Sequence, residues 1–307
     1  MKKDMLRMVK KGSELFSLSF RRGLGRGFLL SLFTFHLSFF LTACGPTGQE
    51  KAAQARYDGA VALVQEGRWD AAKTELDSIH ILYRQQVPVR RQAKALQDSI
   101  TYLEAQRTLA YSDSVLQVLL PQVDPLLKKF RYEKDDKYES NGQYVSRLLT
   151  TDRNMQRCFL QAYVGDNRLT RVKSYYYGAT PLNQQQIEVM VRRPEAPEIV
   201  AVNGTCHAFE ADGHYSILTA EGEDAIALLA FVDSHRDERI RVRLSGKDAN
   251  GKDSHYAYYL NDNEKLALAE TLQLAVLFND IKRLEDAMRV ANAQILFYEA
   301  HRDSIHL

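Results

Sequence analysis

The feature that most constrains the fold is a heptad stripe of apolar residues near the carboxyl end of the 307-residue chain. The stripe advances in steps of three and four and consists of Leu274, Leu277, Ile281, Leu284, Met288, Ala291, Ile295 and Tyr298. That spacing draws one narrow seam along a helix, and the seam needs a partner helix to cover it. Asn261 and Glu264 have the spacing of a capping box. We therefore predict a helix over 261–302, about 60 Å long at ~1.5 Å per residue.

Helical periodicity also covers residues 52–120. Apolar residues recur at steps of three and four before Gly67 and resume at Trp69, which predicts two helices joined by a tight turn. Pro88 favours the start of a third helix, and Pro121 favours its end. These helices are the nearest candidates for covering the carboxyl-terminal seam.

The segment GRWDAAKTEL at 67–76 resembles one unit of a tetratricopeptide repeat in Gly67, Trp69, Ala72 and Leu76. The resemblance implies a close crossing of two helices. No second unit follows at a period of about 34 residues, and a solenoid needs about three units. The region is predicted to be a tetratricopeptide-like helical hairpin, and a helical hairpin of any other kind remains the alternative.

Residues 130–260 change to strand character and contain 11 of the 16 tyrosines. The predicted strands are 130–138, 143–151, 155–164, 168–177, 185–192, 198–202, 205–211, 214–220, 224–233, 239–245 and 254–260. Turn dipeptides such as Asn203-Gly204 and Asp212-Gly213 separate several of them. Short strands joined by tight turns predict an antiparallel meander, either closed as a barrel or folded as a sandwich.

The order of these regions predicts an α+β fold. The simplest closure pairs the long helices antiparallel within one chain, as a stalk that carries the inserted β region. A second copy of the chain, pairing through the carboxyl-terminal helix as a homodimer, is the alternative partner for the seam.

A positively charged segment precedes an apolar run at the amino end. Residues 1–27 carry eight Lys and Arg against two acidic residues, and FLLSLFTFHLSFFL follows at 28–41. A charged segment, a short apolar core and small residues indicate a secretory signal. Fourteen residues are too few to span a bilayer as a helix, which takes about 20.

The sequence Leu41-Thr42-Ala43-Cys44 resembles a lipobox. The resemblance implies that the Cys44 thiol receives diacylglycerol and that the peptide is cut before this cysteine. Several acyl chains would make such an anchor stable. An ordinary signal peptide with a chance cysteine is the alternative.

With this signal, five regions are predicted along the chain. They are a lipoprotein signal peptide at 1–43, a lipidated tether at 44–51, a helical region at 52–129, an antiparallel β domain at 130–260 and a long helix at 261–307. Removing the eight basic and two acidic residues of 1–43 leaves 33 basic and 37 acidic residues, a net charge of −4. The basic balance of the whole chain therefore belongs to the signal, and no nucleic-acid partner is predicted.

Cys158 and Cys206 fall in predicted strands. An exported protein meets an oxidising compartment, where a disulfide between them is chemically feasible. A Cys158–Cys206 bridge and two buried thiols are equally favoured by the sequence.

The chain lacks a G-x-S-x-G elbow, an H-E-x-x-H motif, a phosphate-binding loop and a dinucleotide fingerprint. We predict no catalytic residues and no cofactor. His207 and His214 in HAFEADGH are weak candidates for metal ligands across a hairpin turn. A polar hairpin rim is the favoured interpretation, so no metal is predicted.

Aromatic and basic residues suggest a binding surface on the β region. The candidates are Tyr175, Tyr177, Tyr256, Tyr258, Arg241 and Arg243. Tyrosine offers contact area and a hydroxyl at little entropic cost. Ordinary sheet packing and a solvated sheet face are the alternatives for the tyrosines and arginines respectively.

The layout resembles uncharacterised bacterial envelope lipoproteins: a lipobox, a helical segment with LAYSDS at 109–114, a tyrosine-rich β portion and a long terminal helix. The resemblance carries no activity. It supports the address and the layout only. The heptad seam, the tether and the missing catalytic motifs motivate the leading hypothesis, a non-enzymatic lipoprotein that is anchored through Cys44 and binds another envelope component. Gly45 follows the cysteine, which favours the outer membrane over the inner one and leaves a periplasmic or surface-facing side open. Carriage of a lipid or apolar ligand in a barrel is the second hypothesis, and a hydrolase is the third.

Overall fold

The computed structural model describes residues 46–134 and 141–305. The chain divides into two units, 1–52 and 53–307, and the described part of the first is the opening of one helix. The predicted signal, its cleavage site and Cys44 lie outside the described residues. Within the described ranges, no helix is long and apolar enough to cross a membrane.

Helices and strands both contribute, so the predicted α+β class is confirmed. The helices are α1 Pro46–Gln65, α2 Trp69–Leu82, α3 Val87–Leu119, α4 Val123–Leu127, α5 Glu223–Ser234 and α6 Asp262–Ile305. The strands are β1 Phe130–Glu133, β2 Gln143–Ser146, β3 Phe159–Gly165, β4 Thr170–Gly178, β5 Asn183–Val191, β6 Glu198–Asn203, β7 Thr205–Glu210, β8 His214–Glu221, β9 Arg241–Lys247 and β10 Asp253–Tyr259.

The heptad seam of α6 is covered by α3 of the same chain. Leu116 of α3 packs with Leu277, Ile281 and Leu284 in one buried cluster. About four turns away on both helices, the ring of Tyr102 stacks on that of Tyr298 with centroids 4.5 Å apart. Residues later in α3 therefore contact residues earlier in α6, so the two helices run antiparallel. The apolar seam, for which a second copy of the chain was the alternative partner, is covered by a helix of the same chain.

A second helical cluster joins α1, α2 and α3. Its fully buried members include Ala53, Ala60, Ala72 and Ala93, with Leu76, Ile79 and Ile100 between the helices. Alanines at the crossing points let the helix backbones approach closely. The α1–α2 turn is at Gly67, whose φ of +75° favours glycine. The predicted helical hairpin is present, and α3 packs against it.

The described strands form two separate antiparallel sheets, which corrects the barrel alternative. The first sheet has the order β1-β2-β3-β4-β8-β7, and the second has the order β10-β9-β5-β6. Only β1–β4 follow the predicted meander. The chain then crosses to the second sheet for β5–β6, returns for β7–β8 and crosses again for β9–β10. Each sheet ends in two edge strands, which a closed barrel would pair.

The crossing between β6 and β7 depends on one residue. Gly204 alone separates the two strands, and a Cβ on it would lie 2.2 Å from the carbonyl oxygen of Thr219. Glycine therefore permits the close approach by which the chain passes from one sheet to the other.

The strand predicted at 224–233 is wrong, because this segment forms α5. Its buried residues Ala225, Leu228, Leu229 and Val232 recur at helical spacing. Glu223 and Asp224 occupy the first turn, where acidic residues favour a helix. The segment is almost continuously apolar, so its helical periodicity cannot be seen in the sequence. A buried strand of similar length would have the same apolar pattern.

The inner faces of both sheets share one core with α5. The first sheet contributes residues such as Leu160, Val172 and Leu218, and the second contributes Ile187, Val242 and Leu244. These side chains are buried, and they fill the space in which the barrel hypothesis placed a ligand.

A buried polar network around Gln184 ties the two sheets together. The Gln184 amide nitrogen on β5 donates to the carbonyl oxygen of Ser216 at 2.8 Å and to that of Ser174 at 3.2 Å. The Ser174 hydroxyl donates in return to the Gln184 amide oxygen, and the Ser216 hydroxyl donates to the carbonyl of Leu182. All three side chains are at most 2% exposed. Such a network is stabilising only while every member has its partner.

The capping box of α6 is present. The Asn261 amide oxygen accepts from the Glu264 N–H at 2.9 Å, and the Glu264 carboxylate accepts from the Asn261 N–H at 3.0 Å. Burial raises the pKa of Glu264, while Arg157 pairs with its carboxylate at 3.1 Å. The pair links the start of β3 to the start of α6.

Replacing Gln184 by Leu is expected to lower the free energy of unfolding by about 3 kcal/mol, because buried serine carbonyls lose their donor. Urea denaturation measures the change. The matched control is Gln186→Leu, whose half-buried amide contacts Asn203 at 3.3 Å, and it should cost under ~1 kcal/mol. Equal losses for the two variants would contradict the role given to the Gln184 network.

Candidate binding surface

The six residues predicted to form a binding surface lie on three different faces. In the β9–β10 register, Tyr256 pairs with Leu244 and Tyr258 pairs with Val242. Since paired residues share a face, both tyrosines lie on the core side of the second sheet. Arg241 and Arg243 lie on its outer side. Tyr175 and Tyr177 belong to the outer face of the first sheet, so the six candidates do not share one face.

The two core-side tyrosines are structural. The Tyr258 hydroxyl is buried without a hydrogen-bond partner among the described residues, and burial raises its pKa well above the ordinary value. The Tyr256 ring meets that of Tyr176 edge to face, with centroids 5.6 Å apart. The Tyr258 hydroxyl is thus enclosed in the core, whereas Tyr256 keeps 41% of its surface exposed.

The two arginines differ in their surroundings. Arg243 pairs across the sheet with Glu188 on β5, and the guanidinium and carboxylate are 2.7 Å apart. Glu188 is only 5% exposed, whereas the Arg243 side chain is 41% exposed, so the pair joins a buried carboxylate to a partly exposed guanidinium. Arg241 is exposed on the same outer face. Both arginines lie on the face opposite to that of Tyr256 and Tyr258.

The outer face of the first sheet carries a row of aromatic rings across three strands. Tyr177 on β4 pairs with Tyr215 on β8, which pairs with Phe209 on β7. Ring centroids are 4.9 Å apart in the first pair and 5.0 Å in the second, and the second pair is stacked. Tyr175 and Ile217 form the neighbouring row on the same face. We call Tyr175, Tyr177, Phe209, Tyr215 and Ile217 the aromatic face.

One end of the aromatic face is closed and the other is open. Tyr175 stacks on Phe159 with centroids 4.4 Å apart, and Leu149 and Ala267 pack in the same cluster. At the opposite end, Phe209 lies on the edge strand β7 with 44% of its surface exposed. A large ring exposed on a sheet edge is available to a partner.

Asp212 holds the central ring in place from the β7–β8 turn. Its carboxylate accepts a hydrogen bond from the Tyr215 hydroxyl at 2.6 Å and another from the Gln156 amide at 3.0 Å. The bond to Asp212 raises the pKa of Tyr215 to about 12. The same bonds, that of Tyr215 first, lower the pKa of Asp212. The aromatic face thus has a fixed polar rim.

The weak metal candidates do not come together. His207 pairs with Ile217, whereas His214 pairs with Glu210, so the two histidines are three positions out of register and on opposite faces. The His214 imidazole lies 3.2 Å from the Glu210 carboxylate. Among the described residues, no group of three His, Cys, Asp or Glu is arranged to hold a metal ion.

Cys158 and Cys206 are free thiols in the structure, which corrects the bridge alternative. Cys158 directly precedes β3 and Cys206 lies on β7, with β4 and β8 between them. Three strand spacings amount to about 14 Å, twice the ~7 Å that a disulfide allows between Cα atoms. Burial raises the pKa of both thiols, and the Cys158 sulfur accepts from the N–H of Tyr177 at 3.4 Å.

Sequence reasoning missed Phe209, Tyr215 and Ile217. The signal was present: Tyr215 and Ile217 are two apart, and the Asp212-Gly213 turn folds β7 back on β8. What the sequence could not supply is the pairing of β8 with β4, because β5–β7 intervene in the chain.

Replacing Asp212 by Asn should lower the pKa of Tyr215 from about 12 toward the ordinary value near 10, because the charged acceptor is lost. Nuclear magnetic resonance titration of the tyrosine rings measures this shift. Glu210→Gln removes an acidic residue from the same hairpin and should leave the pKa of Tyr215 unchanged. A titration of Tyr215 unaffected by Asp212→Asn would contradict the geometry of the rim.

With this geometry established, the chain can be compared with known proteins. No protein-family model matches it. No curated protein and no solved structure matches it either.

Proposed function

We propose that the protein is a membrane-anchored envelope lipoprotein that binds another envelope protein and has no enzymatic role. The proposed location rests on the sequence Leu41-Thr42-Ala43-Cys44 at the end of the apolar run of 28–41. A secretory signal that ends in a small residue and a cysteine fits lipid attachment to the Cys44 thiol. Gly45 follows, so the proposal places the protein at the outer membrane.

The aromatic face supports the binding role. Its rings adjoin one another across three strands, with Phe209 stacked on Tyr215, and the hydroxyl of Tyr215 donates to Asp212 at 2.6 Å. Pre-ordered aromatic rings lose little conformational entropy when a partner covers them. Exposed rings beside polar groups are also the composition found at the centres of protein interfaces. We therefore place the partner on the Phe209 end of this face.

The rival functions gain less support. Carriage of an apolar ligand required a barrel, and the strands form two sheets over a core filled by their own side chains. A hydrolase required scattered carboxylates and histidines to converge, and His207 and His214 lie on opposite faces. A binding protein requires neither arrangement.

Affinity purification of the tagged, lipidated protein from mildly cross-linked envelopes tests the proposal. We expect one protein partner at near-equal amount, identified by mass spectrometry. Phe209→Ser should reduce its recovery about thirtyfold, the loss expected when a central interface ring worth about 2 kcal/mol is removed. The matched control is Phe297→Ser, which removes an exposed phenylalanine on α6.

Two outcomes would contradict the proposal. Equal recovery with Phe209→Ser and with the wild-type protein would reject the aromatic face as the binding surface. A reproducible lipid or small molecule without any protein would favour the carrier.

A further inference from the structure

The corner between α2 and α3 exposes apolar side chains that the fold leaves uncovered. Ile81 and Leu82 end α2 with 63% and 60% of their surfaces exposed, and Val87 begins α3 with 47% exposed. The buried faces of these helices use other residues, including Ile79 and Val89. The corner therefore presents three large aliphatic side chains to its surroundings.

Basic residues accompany these side chains, and acidic residues do not. Residues 78–97 contain Arg84, Arg90, Arg91 and Lys94 and no Asp or Glu. Arg84 and Arg91 are exposed. Val87 and Arg91 are four residues apart on α3 and share one face of that helix. The nearest acidic side chains in sequence are engaged: Asp77 accepts from Gln97 at 2.7 Å, and Asp98 pairs with Lys94.

The chain connects this corner to Cys44 by a short path. Arg56 of α1 pairs with Glu75 at 2.8 Å and lies beside Tyr83 of the corner, whose side chain raises the pKa of Arg56. Arg56 of α1 therefore lies beside the corner. Ala53 lies nine positions after Cys44 in the sequence, and nine steps of chain reach at most about 32 Å.

We propose that the α2–α3 corner, made of Ile81, Leu82, Arg84, Val87 and Arg91, rests on an anionic lipid surface. This inference depends on the proposed anchor at Cys44. Aliphatic side chains enter the boundary between head groups and acyl chains, while arginines remain at the level of the lipid phosphates. Apolar burial and charge attraction together would hold the corner down on the bilayer. The anchor alone would leave the folded part free to tilt.

Bromine-quenched tryptophan fluorescence tests the contact in the full lipidated protein. The protein is extracted from envelopes and reconstituted in vesicles of phosphatidylcholine with phosphatidylglycerol, whose acyl chains carry bromine. Leu82→Trp places a reporter at the corner, and Val118→Trp places one at an exposed apolar position near the other end of α3. The wild-type protein, whose single tryptophan is Trp69, gives the baseline.

We expect bromolipid to quench Leu82→Trp strongly and Val118→Trp no more than the baseline. Adding R84Q and R91Q to Leu82→Trp should lower the ratio of docked to undocked corner about thirtyfold, since each arginine near an anionic surface contributes about a factor of five. The matched control adds R283Q and R289Q, which remove the same charge from exposed positions on α6. This control should leave the quenching unchanged.

Flotation of the vesicles separates the two ways to fail. Protein that floats with the vesicles while Leu82→Trp stays unquenched keeps the anchor and overturns the contact. Equal quenching of Leu82→Trp and Val118→Trp overturns it as well. If the protein does not float with the vesicles, the result contradicts the proposed anchor and, with it, the membrane contact of the corner.

Discussion

The antiparallel pairing of α3 with α6 is the constraint on which the rest of the structure depends. A seam of Leu277, Ile281 and Leu284 cannot remain in water, and α3 covers it within the same chain. Because α3 ends at 119 and α6 begins at 262, this pairing brings the two ends of the intervening segment together. The β region can therefore fold as an insertion without drawing its ends apart.

Within that insertion, the division into two sheets follows from a few local devices. Gly204 permits the close crossing from β6 to β7. A register shift between Gln184 and Gln186 interrupts the β5–β9 pairing, and Gln184 bonds to Ser174 and Ser216 on the first sheet. A polar group buried in this way stabilises one arrangement of the sheets, because any other leaves its partners unsatisfied.

Local sequence patterns predicted most of the helices and strands. They did not predict which distant segments pair with one another. The capping box at Asn261 and Glu264 and ten of the eleven strands could be read from periodicity and turn residues. The exception, α5, is an apolar run in which helix and buried strand look alike. The binding surface was predicted poorly because its grouping depends on which strands become neighbours. Arg243 pairs with Glu188, 55 residues earlier, and the β4–β8 contact that completes the aromatic face joins Tyr177 to Tyr215, 38 residues later.

The proposed lipid anchor at Cys44 would tether a fold whose described residues include the exposed Phe209 end of the aromatic face and the exposed α2–α3 corner. The central claim is that the protein is cut before Cys44 and carries lipid there. The most direct test is the intact mass of the protein isolated from envelopes, with sequencing of its amino-terminal peptide. The account predicts a chain that begins at Cys44 and is heavier by a diacylglycerol group, with or without a further acyl chain. A chain that retains residues 1–43, or that begins elsewhere without lipid, would contradict it.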